Sequence, residues 1–291
     1  MQLIDLHMHS TCSDGTDSPS ELVDLALEKD LVAMALTDHD TVAGVAEAIH
    51  AAEGKPIEVI PGVEISCEYV VPPMAGKPSR KKEIHILGYG MDIENRELLD
   101  VLQFARDERD NRNKKMCENF YNAGYTMITY ENLLETFGNV TIARPHFARL
   151  LMNAGVVPSI KAAFADGQLL AENSPLYVHR TYVTPEQGIK SILNAGGKPV
   201  LAHPMIYKFS VSELHRMIEE LIGFGLQGIE ALYSRNKGTD EAFVRKLAHE
   251  FGLFITGGTD YHGRNKPDLE IGWGEGNLRV PVMLLNNLRN Y

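Results

Sequence analysis

Asp5-Leu6-His7-Met8-His9-Ser10 ends the first apolar run of the chain, at residues 2–7, and sets two histidines two positions apart. In an extended strand, residues i and i+2 point to the same face, so His7 and His9 are expected to project together from one strand end. Six further apolar runs of strand length follow, at residues 32–37, 57–65, 83–88, 199–203, 228–233 and 253–258. They are continuous rather than alternating, the pattern of parallel strands buried on both faces. Helical patterns separate most of them. Ser18-Pro19-Ser20-Glu21 reads as a capping box that opens a helix to about residue 29. Further helices are expected at residues 41–54, 185–194, 211–224 and 239–251. Seven strands alternating with helices imply an α/β fold built on a parallel sheet or barrel.

The alternation breaks between residues 94 and 177, where the pattern is almost wholly helical, at 94–122, 131–137, 144–153 and 159–164. This stretch is expected to be an inserted helical subdomain, with residues 1–93 and 178–291 forming the barrel. Within it, residues 106–115 form ten positions without an apolar side chain. They are read as a solvated helix face carrying i,i+4 pairs, the alternative being that Arg109 or Arg112 faces the active site.

The remaining strands repeat the arrangement of the first. His7 and His9 are followed by Asp14. Thr37-Asp38-His39 ends the second strand, and Glu64 lies in the third. Glu83-Ile84-His85 begins the fourth, His203 ends the fifth, and the last leads into Asp260-Tyr261-His262. Loops at the C-terminal ends of parallel barrel strands form the active site, so these groups are expected to converge on one mouth. Six His and three carboxylates exceed the needs of one ion and suit two or three divalent metals.

Asp5-Leu6-His7-Met8-His9-Ser10, Ser13-Asp14-Gly15, Thr37-Asp38-His39-Asp40, Gly62-Val63-Glu64 and Thr259-Asp260-Tyr261-His262-Gly263 together resemble the PHP (polymerase and histidinol phosphatase) superfamily, over essentially the whole chain. The resemblance implies a distorted (β/α)7 barrel and a trinuclear centre of divalent metals, manganese, zinc or iron. It places His7, His9, Glu64 and Asp260 on a first metal. Glu64, His85 and His203 would hold a second, and Asp14, His39 and His262 a third. Some members carry His where this chain has Asp14, which makes the third site more oxygen-rich. Thr141-Ile142-Ala143-Arg144-Pro145-His146-Phe147, the segment from Gly196 to Pro204, and Gly263 with Asn265-Lys266-Pro267 are similar to the branch with a helical insert. That branch contains 3′,5′-nucleotide bisphosphate phosphatases that also act as 5′-nucleotidases and as 5′→3′ exoribonucleases on short RNA.

The expected activity is therefore metal-dependent hydrolysis of nucleotide phosphates by a hydroxide held on the metals. Exoribonuclease action on short RNA, a histidinol-phosphate phosphatase and a non-catalytic metal or phosphate sensor are the alternatives. A C–N hydrolase of the amidohydrolase type is disfavoured, because no strand end offers the lysine such barrels use. Arg144 is expected to grip phosphate, His146 to bind it or protonate the leaving oxygen, and Asp38 to orient a ligand histidine. Arg235 and Lys266 are further candidates for substrate binding. Between Glu64 and His85 the chain carries a long link, residues 69–82, with prolines and the cations Lys77, Arg80, Lys81 and Lys82. It reads as a solvated hairpin, or as a basic loop leaning over the mouth.

Composition agrees with this reading. The 291 residues carry 28 Lys+Arg against 39 Asp+Glu, a formal charge of −11, which excludes broad nucleic-acid coating but not a phosphate pocket. Three divalent ions add six positive charges and would bring −11 to −5, most of the change falling at one mouth. Three widely spaced cysteines, no span of membrane length and no signal-like N-terminus give the expectation of a cytoplasmic protein.

Overall fold

The computed structural model describes residues 2–73, 78–138 and 140–290. The first half of the barrel contains β1 (Leu3–Met8), α1 (Pro19–Glu28), β2 (Leu31–Leu36), α2 (Val45–Ala52), β3 (Glu58–Val71) and β4 (Arg80–Tyr89). Four helices follow: α3 (Arg96–Asn122), α4 (Tyr130–Phe137), α5 (Arg144–Asn153) and α6 (Ile160–Ala163). The chain then continues through α7 (Pro185–Asn194), β5 (Lys198–Leu201), α8 (Val211–Phe224), β6 (Gly228–Tyr233), α9 (Asp240–Phe251), β7 (Phe254–Gly258), β8 (Val280–Pro281) and α10 (Met283–Asn290). Ser18, Thr184 and Ser210 close capping boxes at α1, α7 and α8. These fix the helix starts that the sequence pattern marks.

All eight strands belong to one sheet in the order β7-β6-β5-β4-β3-β2-β1-β8. The sheet curls until its ends nearly meet. Asp260 N donates to His7 O at 2.8 Å and His9 N to Tyr261 O at 2.9 Å, which ties the end of β1 to the chain leaving β7. The result is a nearly closed, distorted barrel with helices around it.

One expectation fails in a way that matters for the site. The strands are not all parallel: β4 runs antiparallel to both β3 and β5, while β1/β2, β2/β3, β5/β6 and β6/β7 are parallel. The cause is the link between β3 and β4, residues 72–79, which is too short for the crossover a parallel pair needs and so turns the chain back on itself. This reversal brings the start of β4, with Glu83 and His85, to the mouth where the other strands end. Residues 69–71 and 80–82 of the basic link are paired strand residues of this hairpin. Arg80 pairs with Glu213 at 2.6 Å and Lys81 with Glu68 at 2.8 Å, so these two cations are engaged along the hairpin and with α8. Lys77 lies outside the described residues. The helix expected from residue 41 begins later, at Val45, because residues 38–40 first run beside β3. Asp40 N donates to Glu64 O at 2.9 Å and Glu64 N to Asp38 O at 3.2 Å.

Two hydrophobic clusters meet within α3. Leu98, Leu102 and Ala105 pack in the core around the barrel strands. Met116, Cys117 and Phe120 pack in a second core with Phe147, Leu151 and Leu170. The apolar gap at residues 106–115 is the stretch of α3 between these cores.

Barrel closure depends on a close approach at Gly258. A Cβ there would lie 2.3 Å from His7 Cβ and 2.4 Å from His7 N, which is backbone and cannot yield. Gly258→Ala is expected to destabilise the fold by about 1–3 kcal/mol or more, as overpacking does. An unchanged urea midpoint would contradict this account of closure.

Candidate active site

The alternation of β1 turns Leu6 and Met8 one way and His7 and His9 the other, and both histidines are fully buried. Glu64 stands at the centre of the mouth. Its Oε2 lies 3.4 Å from His7 Nε2, 3.2 Å from His9 Nε2 and 3.1 Å from His39 Nδ1. Its Oε1 lies 2.8 Å from His85 Nδ1 and 2.9 Å from His203 Nε2. Asp260 Oδ1 is 3.4 Å from His9 Nε2, and Asp14 Oδ1 is 3.2 Å from His262 Nε2. The structure thus brings all nine expected ligands together, in overlapping groups whose donor atoms lie within 4.8 Å of one another. Asp40, His203 and Asp260 sit here with φ of 54°, 28° and 56°, backbone strain of the kind that clusters at functional sites.

Among these residues, His7 Nε2, His9 Nε2, Asp14 Oδ1 and Glu64 Oε2 are buried and have no hydrogen-bond partner. Such atoms are costly to leave unsatisfied. A set of imidazole nitrogens and carboxylate oxygens with unused lone pairs is what divalent manganese, zinc or iron requires. Burial would raise the carboxyls of Asp14, Glu64 and Asp260, but the surrounding cationic groups hold all three well below the usual range. Burial also opposes charge on the histidines. It prevails at His39, pushed down to about 3, and is overcome by Glu64 and Asp260 at His9, raised to about 9. Glu64 and Glu83 likewise raise His85 to about 10. The cluster concentrates negative charge that is offset by protonating histidines and, at Asp260, by Lys266, a task a bound cation would take over.

Beside the ligands opens a cavity of about 340 Å³ whose far wall is basic. Arg109, Arg112, Arg144, Arg180 and Lys266 all reach it. Arg109 and Arg112 correct the reading of residues 106–115 as a solvated face, since both are buried. Arg109 bonds Asp40 and donates to Ser66 Oγ at 3.0 Å. Arg112 donates to Asn113 Oδ1 at 2.9 Å. Among the described residues it pairs with no carboxylate. Burial, with Arg109, Arg180 and Arg144 beside it, pushes its guanidinium down to about 9. Arg144 lies 3.8 Å from Glu83, and its guanidinium sits over the rings of Phe164 and Tyr177. Lys266 reaches the same cavity but is tied to Asp260 Oδ2 at 2.6 Å.

Three expected residues are placed otherwise. Asp38 orients no histidine. It accepts from Ser10 N at 2.8 Å, Ser10 Oγ at 2.6 Å and Ser13 Oγ at 2.5 Å, and so fixes the loop that carries Asp14. His146 does not line the metal-side cavity. Its Nδ1 accepts from Ala143 N at 2.9 Å, its ring packs on Phe137, and it lines a neighbouring cavity. Arg235 is held away from the mouth by a forked pair with Asp268 at 2.7 and 2.8 Å and by Glu275. The job expected of Asp38 falls to Glu230, which sequence reading missed. Its Oε1 lies 2.9 Å from His7 Nδ1, and its Oε2 accepts from His203 N at 2.9 Å. A lone acid inside the apolar strand Gly228–Tyr233 was the available signal. Also missed were Arg180, Glu83 and Tyr233, whose OH donates to Asp260 Oδ2 at 2.8 Å.

Residues 5–161, more than half of the chain, match the PHP domain. The chain belongs to the PHP family. It is 31% identical to a 3′,5′-nucleoside bisphosphate phosphatase of Chromobacterium violaceum, across 94% of this chain and 92% of that protein. It is 32% identical to the 5′-3′ exoribonuclease Rnm of Escherichia coli, across 93% and 88%. Its fold superposes with a TM-score of 0.81 on a structure from Bifidobacterium adolescentis described as a candidate metal-dependent phosphoesterase, at 29% identity, covering 99% of this chain and 95% of the other. This PHP protein is a phosphoric ester hydrolase with the fold of metal-dependent phosphoesterases. No helix among the described residues is long and apolar enough to cross a membrane.

Because Glu230 fixes the tautomer and orientation of His7, Glu230→Gln is expected to lower metal affinity about 10–100-fold. Metal content after dialysis against graded free Mn²⁺ measures this. Retention equal to that of the wild type would deny Glu230 the role.

Proposed function

We propose that this protein is a metal-dependent phosphomonoesterase of nucleotide phosphates, acting on 3′,5′-bisphosphates, 5′-monophosphates or both. The observation that carries the reading is the single cavity in which His39, His85, His262 and Asp14 face Arg109, Arg112, Arg144 and Arg180. Three divalent ions, manganese, zinc or iron, suit the nine donors in the sets His7/His9/Glu64/Asp260, Glu64/His85/His203 and Asp14/His39/His262. Bound there, they would supply Lewis acidity toward phosphoryl oxygens and make water acidic enough to attack at neutral pH.

The remaining work falls to side chains of this chain. Arg112, buried and without a carboxylate partner, and Arg144, on the rim, take the non-bridging phosphate oxygens. Arg109 and Arg180 are partly neutralised by Asp40 and keep the wall in place. Ile160 and Phe164 line the same cavity and offer an apolar surface to the nucleoside. Residues 94–177 act as the substrate-binding insert on a barrel formed by 1–93 and 178–291. His146 holds the first turn of α5 and is not the acid for the leaving oxygen. Short 5′-phosphorylated RNA is the second substrate class, favoured by the likeness to the exoribonuclease. The three cysteines are free thiols in the structure, in keeping with a cytoplasmic setting.

Phosphate release by the Mn²⁺-loaded protein should be seen with adenosine 3′,5′-bisphosphate, 5′-AMP or a short 5′-phosphorylated RNA. It should vanish on chelation and return with Mn²⁺ or Zn²⁺. Activity on histidinol phosphate alone, or turnover indifferent to chelation, would overturn the reading. Arg112→Ala should raise KM for the nucleotide about 10–100-fold, the value of one charge-assisted contact at ~1.5–3 kcal/mol. An unchanged KM would remove Arg112 from the phosphate site.

A further inference from the structure

The two oxygens of Asp260 have different neighbours. Oδ1 faces the histidines, 3.4 Å from His9 Nε2, 3.7 Å from His7 Nε2 and 3.4 Å from His262 Nδ1. Oδ2 takes two donors of its own, Tyr233 OH at 2.8 Å and Lys266 Nζ at 2.6 Å. Neither donor is among the nine candidate ligands.

Both donors are built into the fold. Tyr233 ends β6, pairs with Gly258 of β7 and is buried. The next residue, Ser234, donates Oγ to Thr259 O at 2.7 Å, so the end of β6 is stitched to the turn that carries Asp260. Lys266 follows Asp260 in the chain. Its backbone N donates to Gly263 O at 3.0 Å, closing the short turn that returns its side chain to the carboxylate. Among the described residues, Asp260 is its one carboxylate within salt-bridge distance. Burial alone would raise the Asp260 carboxyl, and Lys266 leads the cations that hold it well below the usual range.

The two donors share one oxygen but differ in charge. With both lone pairs of Oδ2 engaged, Asp260 offers Oδ1 alone to an ion beside His7 and His9. Tyr233 secures this without charge. Lys266 sets a positive charge across one carboxylate from that ion, and like charges so close repel strongly where water is excluded.

We propose that Tyr233 and Lys266 are positioning residues that act on the metal centre through Asp260 with opposite signs: Tyr233 tightens the hold on the ion at His7, His9, Glu64 and Asp260, and Lys266 loosens it. The inference rests on the metal reading of the cluster and goes further. It takes Lys266 away from the phosphate and makes it the residue that keeps this ion exchangeable.

The test compares wild type with Tyr233→Phe, Lys266→Met and Lys266→Arg, with melting curves confirming the fold. Metal content after dialysis against graded free Mn²⁺ gives the binding steps, and Asp260→Asn marks the step in question as the one it weakens. Tyr233→Phe should move the midpoint of that step about tenfold to higher Mn²⁺, the scale of a lost contact behind a ligand. Lys266→Met should move it about tenfold to lower Mn²⁺, and Lys266→Arg, which keeps the charge, should leave it within about twofold. At saturating Mn²⁺, the calorimetric Kd of Lys266→Met for inorganic phosphate should match that of the wild type. Looser binding of Mn²⁺ in both Tyr233→Phe and Lys266→Met is what loss of packing alone would give, and it overturns the inference. So does an unmoved midpoint in either, a shift in Lys266→Arg as large as that in Lys266→Met, or a weaker phosphate Kd in Lys266→Met. A wild type that holds no metal at any Mn²⁺ concentration overturns the metal reading itself, and this inference with it.

Discussion

A buried carboxylate surrounded by five imidazoles is the constraint on which the rest of this molecule depends. Glu64 is fully buried, and His7, His9, His39, His85 and His203 each come within 3.4 Å of its oxygens. In a dry interior such a group is tolerable only with compensating charge and satisfied lone pairs. No single helix or hairpin can supply five histidines to one point. A curled sheet can, because each strand contributes one end to the mouth. The features that close the sheet serve that convergence. Gly258 lets β7 lie against His7, and Asp5 accepts from Thr259 N at 2.9 Å and Gly272 N at 2.9 Å, which seats the turn before Asp260.

The candidate ligands are held by a second layer of buried acids. Glu230 sets His7, Asp38 pins the loop before Asp14, and Asp40 anchors Arg109 and Arg180. Burial would raise the Asp40 carboxyl, and the two arginines outweigh it and hold it below the ordinary range. One strand-end sequence, Thr37-Asp38-His39-Asp40, therefore divides its polar groups three ways, toward the β1 loop, the ligand cluster and the arginine wall. Adjacency in the chain thus ties the candidate metal cluster to the arginine wall of the cavity.

Much of this was legible in the sequence, because the signals were local. Continuous apolar runs marked seven strands, capping boxes marked helix starts, and histidines at run ends marked the mouth. What could not be read depended on partners distant in the chain. Asp38 and Glu230 are both acids near a ligand, and only the fold decides which of them meets a histidine ring. The reversed β4 is half legible: residues 69–82 read as a hairpin and His85 stands at a strand start, but the continuous apolar runs suggest parallel strands. Residues 106–115 look solvated by composition. They are buried because α3 spans two hydrophobic cores, and the gap between the cores falls over the active site. Composition reports what a residue can tolerate, whereas burial there is imposed by the cores on either side.

The same gap explains how an acidic chain can present a basic face to an anion. An arginine row in mid-helix is poorly placed for a core and would ordinarily be solvated. Here the cores hold both ends of α3, so the row is carried over the mouth at the cost of desolvating Arg112, whose guanidinium is pushed down to about 9. A phosphate arriving in the cavity restores the anionic partner that burial removed. An anion bound there would relieve the cost of a buried cation that meets no carboxylate among the described residues, and this is the physical ground for the proposed phosphate site.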